Sequence, residues 1–266
     1  SAGKHVIVEK PPCMFPEQIS ELSALAKERG VMFAPIFQNR FNPAVKITKQ
    51  AMDEGRLGRL VSASIKMLWC RYQDYYEDGW HGTWRMDGGV INQQAIHHID
   101  ALHWLCGSIE KVSAFQERRL NKLEAEDTTV GIVKFKKGAL GSIEVTTAAR
   151  PDDVCATLSV VGENGIIELG GVALNEVTRW DMINRRPEDA DIIRQYSRSV
   201  ENGYGYSHGP LLQEIFNRIN REVVDSVIEI QSTVETMRLI HALYRSNEDQ
   251  KPILISDDLR SYNLGL

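Results

Sequence analysis

The sequence predicts an α/β segment followed by an α+β domain: a short piece of parallel sheet, then a large, mostly antiparallel sheet with helices on one face. Three observations carry this. The apolar triplet Val6 to Val8, an amphipathic stretch from Pro16 to Arg29 and a second apolar run from Val31 to Phe37 make one strand–helix–strand unit. From Leu60 the periodicity changes to two: Val61, Ala63, Ile65, Met67 and Trp69 alternate with mostly polar partners. Towards the end, two stretches carry apolar residues at helical spacing.

Taken in order, Val6 to Val8 reads as a short buried strand. Pro16 and Glu17 suit the first turn of a helix, and Gly30 closes it; Ile19, Leu22 and Leu25 form its apolar stripe. Asn42-Pro43 begins a second helix, stopped by Gly55. Further strands are predicted over Val112 to Glu117, Thr128 to Phe135, Ala139 to Thr147, Cys155 to Val161 and Gly165 to Leu169. Turns such as Lys136-Lys137-Gly138 and Gly162-Glu163-Asn164-Gly165 join them into an antiparallel meander. A helix from about Asn92 to Leu105 interrupts the strands and ends at Gly107. Two late helices follow, about Pro210 to Arg221 and Thr233 to Tyr244. Leu211, Leu212, Ile215, Phe216 and Ile219 form the stripe of the first, and Val234, Met237, Ile240, Leu243 and Tyr244 that of the second. Residues 181–207 are polar and poorly periodic, and read as a long surface excursion. The boundary between the two units falls at 37/38, giving domains 1–37 and 38–266.

Composition excludes several classes. With 266 residues, 42% hydrophobic and 25% charged, the chain can bury a sizeable core. A formal net charge of -5 gives no pull towards nucleic acid or an anionic membrane surface. No apolar run approaches the roughly 20 residues that span a bilayer, and Ser1 to Lys10 lacks the pattern of a secretory leader. Cys13, Cys70, Cys106 and Cys155 show neither paired nor zinc-ligand spacing, which reads as reduced thiols in a cytoplasmic protein. The chain opens at Ser1 and enters a strand almost at once, so it reads as part of a longer protein.

Three stretches could carry chemistry. Glu9-Lys10-Pro11-Pro12 follows the first strand, and ligands of open parallel sheets bind beyond the carboxyl ends of strands. Lys10 there either handles a substrate hydroxyl and its proton or lies in a solvated turn; Pro11 fixes the backbone direction. The second stretch runs from Asp87-Gly88-Gly89 to His97-His98-Ile99-Asp100. On one helix Gln93 and His97 share a face, with Asp100 near it, the pattern of an oriented acid/base histidine. A packing role for either histidine, or a metal held by His97, His98 and Asp100, is the alternative; adjacent histidines point apart on a helix. The third is aromatic and basic: Trp69, Arg71, Tyr72, Tyr75, Tyr76, Trp80, His81, Trp84 and Arg85. Flat rings suit sugars or bases and arginine suits phosphate or carboxylate, but a plain packing cluster has the same composition. No Gly-x-Gly-x-x-Gly, Walker loop, Gly-x-Ser-x-Gly elbow or zinc-protease helix occurs.

In order and spacing, the chain resembles the Gfo/Idh/MocA oxidoreductase family. The resemblance rests on Glu9-Lys10-Pro11, Gln38-Asn39-Arg40-Phe41, Gly55-Arg56-Leu57-Gly58, Gly88-Gly89 with His97 and Asp100, and Ser207-His208-Gly209, and it covers essentially the whole chain. The stretch Trp69 to Asp100 is similar to bacterial UDP-N-acetylglucosaminuronic acid 3-dehydrogenases. The resemblance implies a truncated dinucleotide-binding (Rossmann) domain followed by a substrate-binding and oligomerisation domain. It implies NAD or NADP as cofactor, contacted by Glu9, Lys10, Pro11 and Arg40, with catalysis by Lys10 and His97. Gln93, Arg71, Tyr75, Tyr76 and Trp84 would face a sugar or UDP-sugar. Gln93 stands where many members have Asp and the UDP-sugar members tend to have Asn; as an amide it cannot accept the proton, which falls to His97 or Lys10. A homodimer or homotetramer through the open sheet is implied, with no metal, nucleic acid or membrane partner. Roughly the first 100 residues of the family, with the phosphate loop and acidic ribose partner, have no counterpart here, so this chain alone is expected not to turn over. A free-sugar or cyclitol dehydrogenase, a glycosidase that oxidises transiently through bound NAD, and a non-catalytic binding or assembly module are the alternatives.

Overall fold

The computed structural model describes residues 2–266. Strand β1 (Val6–Val8) pairs in parallel with β2 (Phe33–Pro35), and α1 (Pro16–Glu28) crosses between them. This is the predicted strand–helix–strand unit, but β1 is not buried: Val6 and Ile7 are exposed, β2 being its one hydrogen-bonded neighbour among the described residues. On α1, Ile19 is buried while Leu22 and Leu25 are exposed on the same open side. The opposite side of α1 rests on the long C-terminal helix α7.

A 3-10 turn (Gln38–Phe41) leads into α2 (Pro43–Asp53). Then β3 (Leu60–Leu68) enters an eight-stranded sheet. Two helices, α3 (Val90–Gln93) and α4 (Ile96–Cys106), follow it. The sheet is completed by β4 (Ile109–Glu117), β5 (Thr128–Phe135), β6 (Leu140–Thr146), β7 (Cys155–Gly162), β8 (Gly165–Gly170), β9 (Glu176–Met182) and β10 (Ile253–Leu254). The spatial order is β10-β4-β5-β6-β3-β7-β8-β9. All neighbours are antiparallel except β3 and β6, which run parallel. The long excursion through α3 and α4 permits that pairing, since only adjacent hairpin strands are forced antiparallel.

Between β9 and α7 (Ile230–Asp249) lie α5 (Ile192–Tyr196) and α6 (His208–Asn220). Residues 181–207 are therefore not wholly irregular: β9 reaches Met182, and α5 packs on β9 with Ile192 buried. The sequence hides β9 because a register shift between Glu168 and Leu169 breaks its alternation. On α6, Leu211 and Ile215 are buried, but Phe216 is half exposed rather than core.

Helices α4 and α7 cover one sheet face, where Ile65, Met67, Val112, Val133, Phe135, Ile143 and Val145 are buried. The other face is open: Phe115, Val130, Ile132 and Leu140 are exposed. No helix among the described residues is long and apolar enough to cross a membrane.

One buried ion pair ties these parts together. Arg40, delivered by the 3-10 turn, donates through Nε (2.8 Å) and Nη2 (2.6 Å) to the Asp100 carboxylate on α4, and Nη2 also reaches Ser232 Oγ on α7 at 2.6 Å. Thr236 of α7 donates to the same carboxylate at 2.9 Å. Both charged side chains are almost wholly buried (4% and 0% exposed). Removing one partner strands the other charge away from water. Arg40→Ala is therefore expected to lower unfolding free energy by about 3–5 kcal/mol, read by urea denaturation; a loss under about 1 kcal/mol would show the pair to be incidental.

Candidate active site

The helix predicted over Asn92 to Leu105 is broken, and the break builds the site. After α3 ends at Gln93, the Ala95 N–H reaches back five residues to Val90 O (2.8 Å), and the His98 N–H bonds Ala95 O (2.9 Å). In an unbroken helix the carbonyl of Gln93 would accept the His97 N–H. Here Gln93 O instead accepts from Lys10 Nζ at 2.5 Å, and the side-chain Oε1 of Gln93 accepts from the same nitrogen at 2.6 Å. Lys10 stands where β1 ends, and the Lys10–Pro11 peptide is cis. The strand end and the broken helix thus meet at one amine. Insertions of this kind recur at functional sites because they free backbone groups.

The surroundings set the charge on that amine. Burial pushes Lys10 down to about 8, opposed by the carboxylates of Asp87 and Glu9 and assisted by the Arg71 guanidinium. Asp87 is 1% exposed; burial raises its carboxyl to about 7, although Oδ2 accepts the Gly82 N–H at 2.7 Å and Lys10 lies near. His97 is held well below the usual histidine range by burial first and then by the charge of Lys10. It is a neutral imidazole whose Nε2 lies 3.2 Å from Gln38 Nε2, beside the edge of Phe37. With Gln38 donating, the imidazole proton sits on Nδ1.

The structure places the other predicted residues as follows. Asp100 does not orient His97, because its carboxylate is taken by Arg40 and Thr236. Arg40, expected at the cofactor, is in the core for the same reason. His98 packs against the edge of Trp69 at 5.4 Å, and burial lowers it to about 4. Among the described residues, no cluster of three His, Cys, Asp or Glu side chains converges to hold a metal. Trp84, expected to face substrate, packs edge-on against Tyr244 at 5.2 Å; its backbone is fixed by Glu124 Oε2 and the Gly265 N–H. Glu9 is exposed and accepts from His208 Nε2 at 3.2 Å. Gln38 and Asp87 belong to the site; the sequence offers Asp87 just ahead of the glycine pair, but nothing that pairs Gln38 with His97.

The aromatic stretch is divided. Arg71 lies between Trp69 and Tyr75, its guanidinium carbon 5.3 and 5.6 Å from the two ring centres. Its Nη1 donates to Asp153 at 3.0 Å and to Cys70 O at 2.6 Å. Tyr75 OH accepts from Gln94 Nε2 at 3.3 Å, and Tyr76 OH bonds Thr147 Oγ1 at 2.8 Å. Burial raises both tyrosines, Tyr75 to about 12, so both remain neutral phenols. Arg85 is exposed. The constellation is one amine of lowered basicity, a neutral imidazole, two phenols and a stacked guanidinium: groups suited to moving a hydroxyl proton and holding an anion.

The groups near Lys10 include ones that could hold a nicotinamide. The end of a parallel strand is the usual place for one, and Gln38 Oε1 and His97 Nδ1 are buried there without protein partners. The pyrophosphate would need a glycine-rich strand-to-helix turn that this sequence does not contain.

Comparisons with known proteins bear on the family and the fold. Residues 45–168 match the family described as GFO/IDH/MocA C-terminal domain, and residues 1–37 match the oxidoreductase family with NAD-binding Rossmann fold. The chain superposes on the WlbA dehydrogenase of Bordetella pertussis, solved with NADH and UDP-GlcNAcA, with TM-score 0.89 and 32% identity, covering 96% of this chain and 73% of that one. The Chromobacterium violaceum WlbA complex gives 0.87 and 31%, covering 97% and 72%. In sequence, an uncharacterized oxidoreductase of Synechocystis is 29% identical over 201 residues, 70% of this chain and 53% of that protein. Levoglucosan dehydrogenase of Pseudarthrobacter phenanthrenivorans is 27% identical over 195 residues, 62% and 49%. The chain thus spans about half the length of these curated relatives.

Asp87 gives a pH prediction. Its folded value lies above its unfolded one (about 7 against 3.8), so the folded state holds the proton more tightly. Its stabilising effect is complete below about pH 4 and is lost as pH rises towards 7 and beyond, at up to about 1.4 kcal/mol per unit. Relative to Asp87→Asn, the wild type should lose stability between pH 4 and 7, measured by denaturation at each pH. A constant difference would mean that Asp87 titrates normally.

Proposed function

The chain belongs to the GFO/IDH/MocA oxidoreductase family, and on that premise we propose that it is the catalytic and substrate-binding part of an NAD(P)-dependent dehydrogenase acting on a secondary hydroxyl of a nucleotide-linked sugar. The observation that carries the reading is the grip of Gln93 on Lys10 beside neutral His97. Similarity to the WlbA structures, whose bound sugar is UDP-GlcNAcA, favours a nucleotide sugar over a free one.

The chemistry assigns the proton to Lys10. A secondary alcohol becomes a ketone by losing a hydride from carbon and a proton from oxygen. The nicotinamide, when bound, accepts the hydride. At about 8, Lys10 lies near working pH and can take the hydroxyl proton as a neutral amine or return it as an ammonium. Gln93 supplies two acceptors on one side of Nζ, which orients the third position towards the substrate. His97 is too weak a base to keep the proton and serves as a hydrogen-bonding partner to the substrate. Gln93 cannot ionise, so no second carboxylate competes for the hydroxyl. Arg71, stiffened between two rings, would bind the substrate's carboxylate or phosphate. Tyr75 and Tyr76 would add neutral hydrogen bonds. We place a second copy of the chain against the open sheet face, where Phe115, Val130, Ile132 and Leu140 are exposed.

Calorimetry tests the reading. The chain should bind UDP-N-acetylglucosaminuronic acid and bind NAD weakly or not at all. Arg71→Ala should weaken the sugar nucleotide by about 10- to 100-fold, the effect of losing a hydrogen bond to a charged group. Tighter binding of a neutral free sugar, or no effect of Arg71→Ala, would sink the nucleotide-sugar assignment.

A further inference from the structure

A buried carboxyl group lies behind the broken helix, and the mechanism does not use it. Glu126 sits two residues before β5 and is 3% exposed. Its backbone carbonyl accepts the Val90 N–H at 3.0 Å, and its side-chain Oε1 accepts the Ile91 N–H at 3.1 Å. The Tyr244 hydroxyl of α7 donates to the same Oε1 at 3.1 Å and accepts the Gly89 N–H at 2.9 Å. Three successive backbone N–H groups, at Gly89, Val90 and Ile91, are thus held by two residues from distant parts of the chain. The approach is close enough to require glycine: a Cβ on residue 89 would lie 2.2 Å from both Glu126 O and Oε2. Gly88, at φ 72°, makes the turn into this clamp.

Two residues beyond the clamped segment comes Gln93, whose carbonyl and side chain hold Lys10. We infer that Glu126 and Tyr244 are positioning residues of the active site: by fixing the first turn of α3 they fix both acceptors that aim the Lys10 amine. This rests on the reading of Lys10 as the proton-transfer group. The route is mechanical rather than electrostatic. The charges felt by Lys10 are those of Asp87, Glu9 and Arg71, and Glu126 is not among them. Burial first, and Asp87 nearby, raise Glu126 to about 8, and burial holds Tyr244 well above the usual phenol range, so both act as neutral hydrogen-bonding groups at pH 7. A neutral amide should therefore replace Glu126, and an alanine should not.

The pH dependence of Lys10 acylation by an amine-reactive ester, followed residue by residue with mass spectrometry, reads the amine directly without substrate or cofactor. The wild type should show a midpoint near 8. Glu126→Gln should match it. In Glu126→Ala, folded by circular dichroism, water should reach Nζ and the midpoint should rise by about a unit or more towards 10.5, leaving at least roughly fivefold less reactive amine at pH 8. If Glu126→Ala does not fold, Tyr244→Phe, which removes one hydroxyl, decides: the same upward shift supports the clamp. An unchanged midpoint in whichever of these two variants decides, or a Glu126→Gln midpoint that moves with Glu126→Ala, overturns it. Failure of the wild type to bind a sugar nucleotide, with the predicted shifts intact, would count against the proposed function alone.

Discussion

The double hydrogen bond from Lys10 to Gln93 is the contact on which the site depends. It joins the end of a strand in the small parallel sheet to a helix of the large sheet's covering layer, and it exists because the helix is interrupted. A regular helix consumes every interior carbonyl, so a lysine approaching its side finds no acceptor. The interruption after Gln93 releases one, and the amide side chain supplies a second. A carboxylate in the same position would hold the lysine more strongly and keep it protonated; the neutral amide holds it in place and leaves its basicity to burial.

That distinction explains how the charges are shared. A lysine, a histidine and an aspartate lie close together in a poorly solvated region, and they cannot all carry their usual charges. Burial weighs against each, and the outcome depends on neighbours. His97 has a cation beside it and no anion, so it stays neutral. Lys10 has Asp87 and Glu9 to offset its burial and remains near neutrality in its titration. Asp87 has Lys10 and the Gly82 amide but still holds its proton more tightly than a solvated carboxyl group.

Much of this architecture was legible in the sequence. Alternation over Leu60 to Trp69 and the turn residues near Gly138 and Gly162 mark the strands, and the glycine pair before His97 marks the site. What was not legible depends on partners remote in sequence. The Gln93–His97 spacing looks like one helical face; no local signal shows that the helix breaks between them. Asp100 looks like a partner for His97 until Arg40, sixty positions earlier, is seen to occupy it. Trp84 belongs to a stretch that reads as sugar-binding, and its edge-on contact with Tyr244 has no local signal either. The exposed Val6, Ile7, Leu22 and Leu25 have a buried pattern and an open environment, and periodicity reports the pattern alone. β9 escapes because a bulge interrupts the alternation on which strand assignment rests.

The Arg40–Asp100 pair and the Glu126–Tyr244 contacts share a partner element: α7 contributes Ser232 and Thr236 to the first and Tyr244 to the second. During synthesis the ribosome releases Lys10, Gln93 and Asp100 long before α7 exists. Until that helix docks, Asp100 lacks one of its hydrogen bonds and the turn at Gly89 lacks a restraint. Helix α7 therefore completes a cleft whose chemical groups all precede it in the chain. A ribosome-stalled chain ending before α7 would carry the side chains of the site without the Ser232, Thr236 and Tyr244 contacts that fix them.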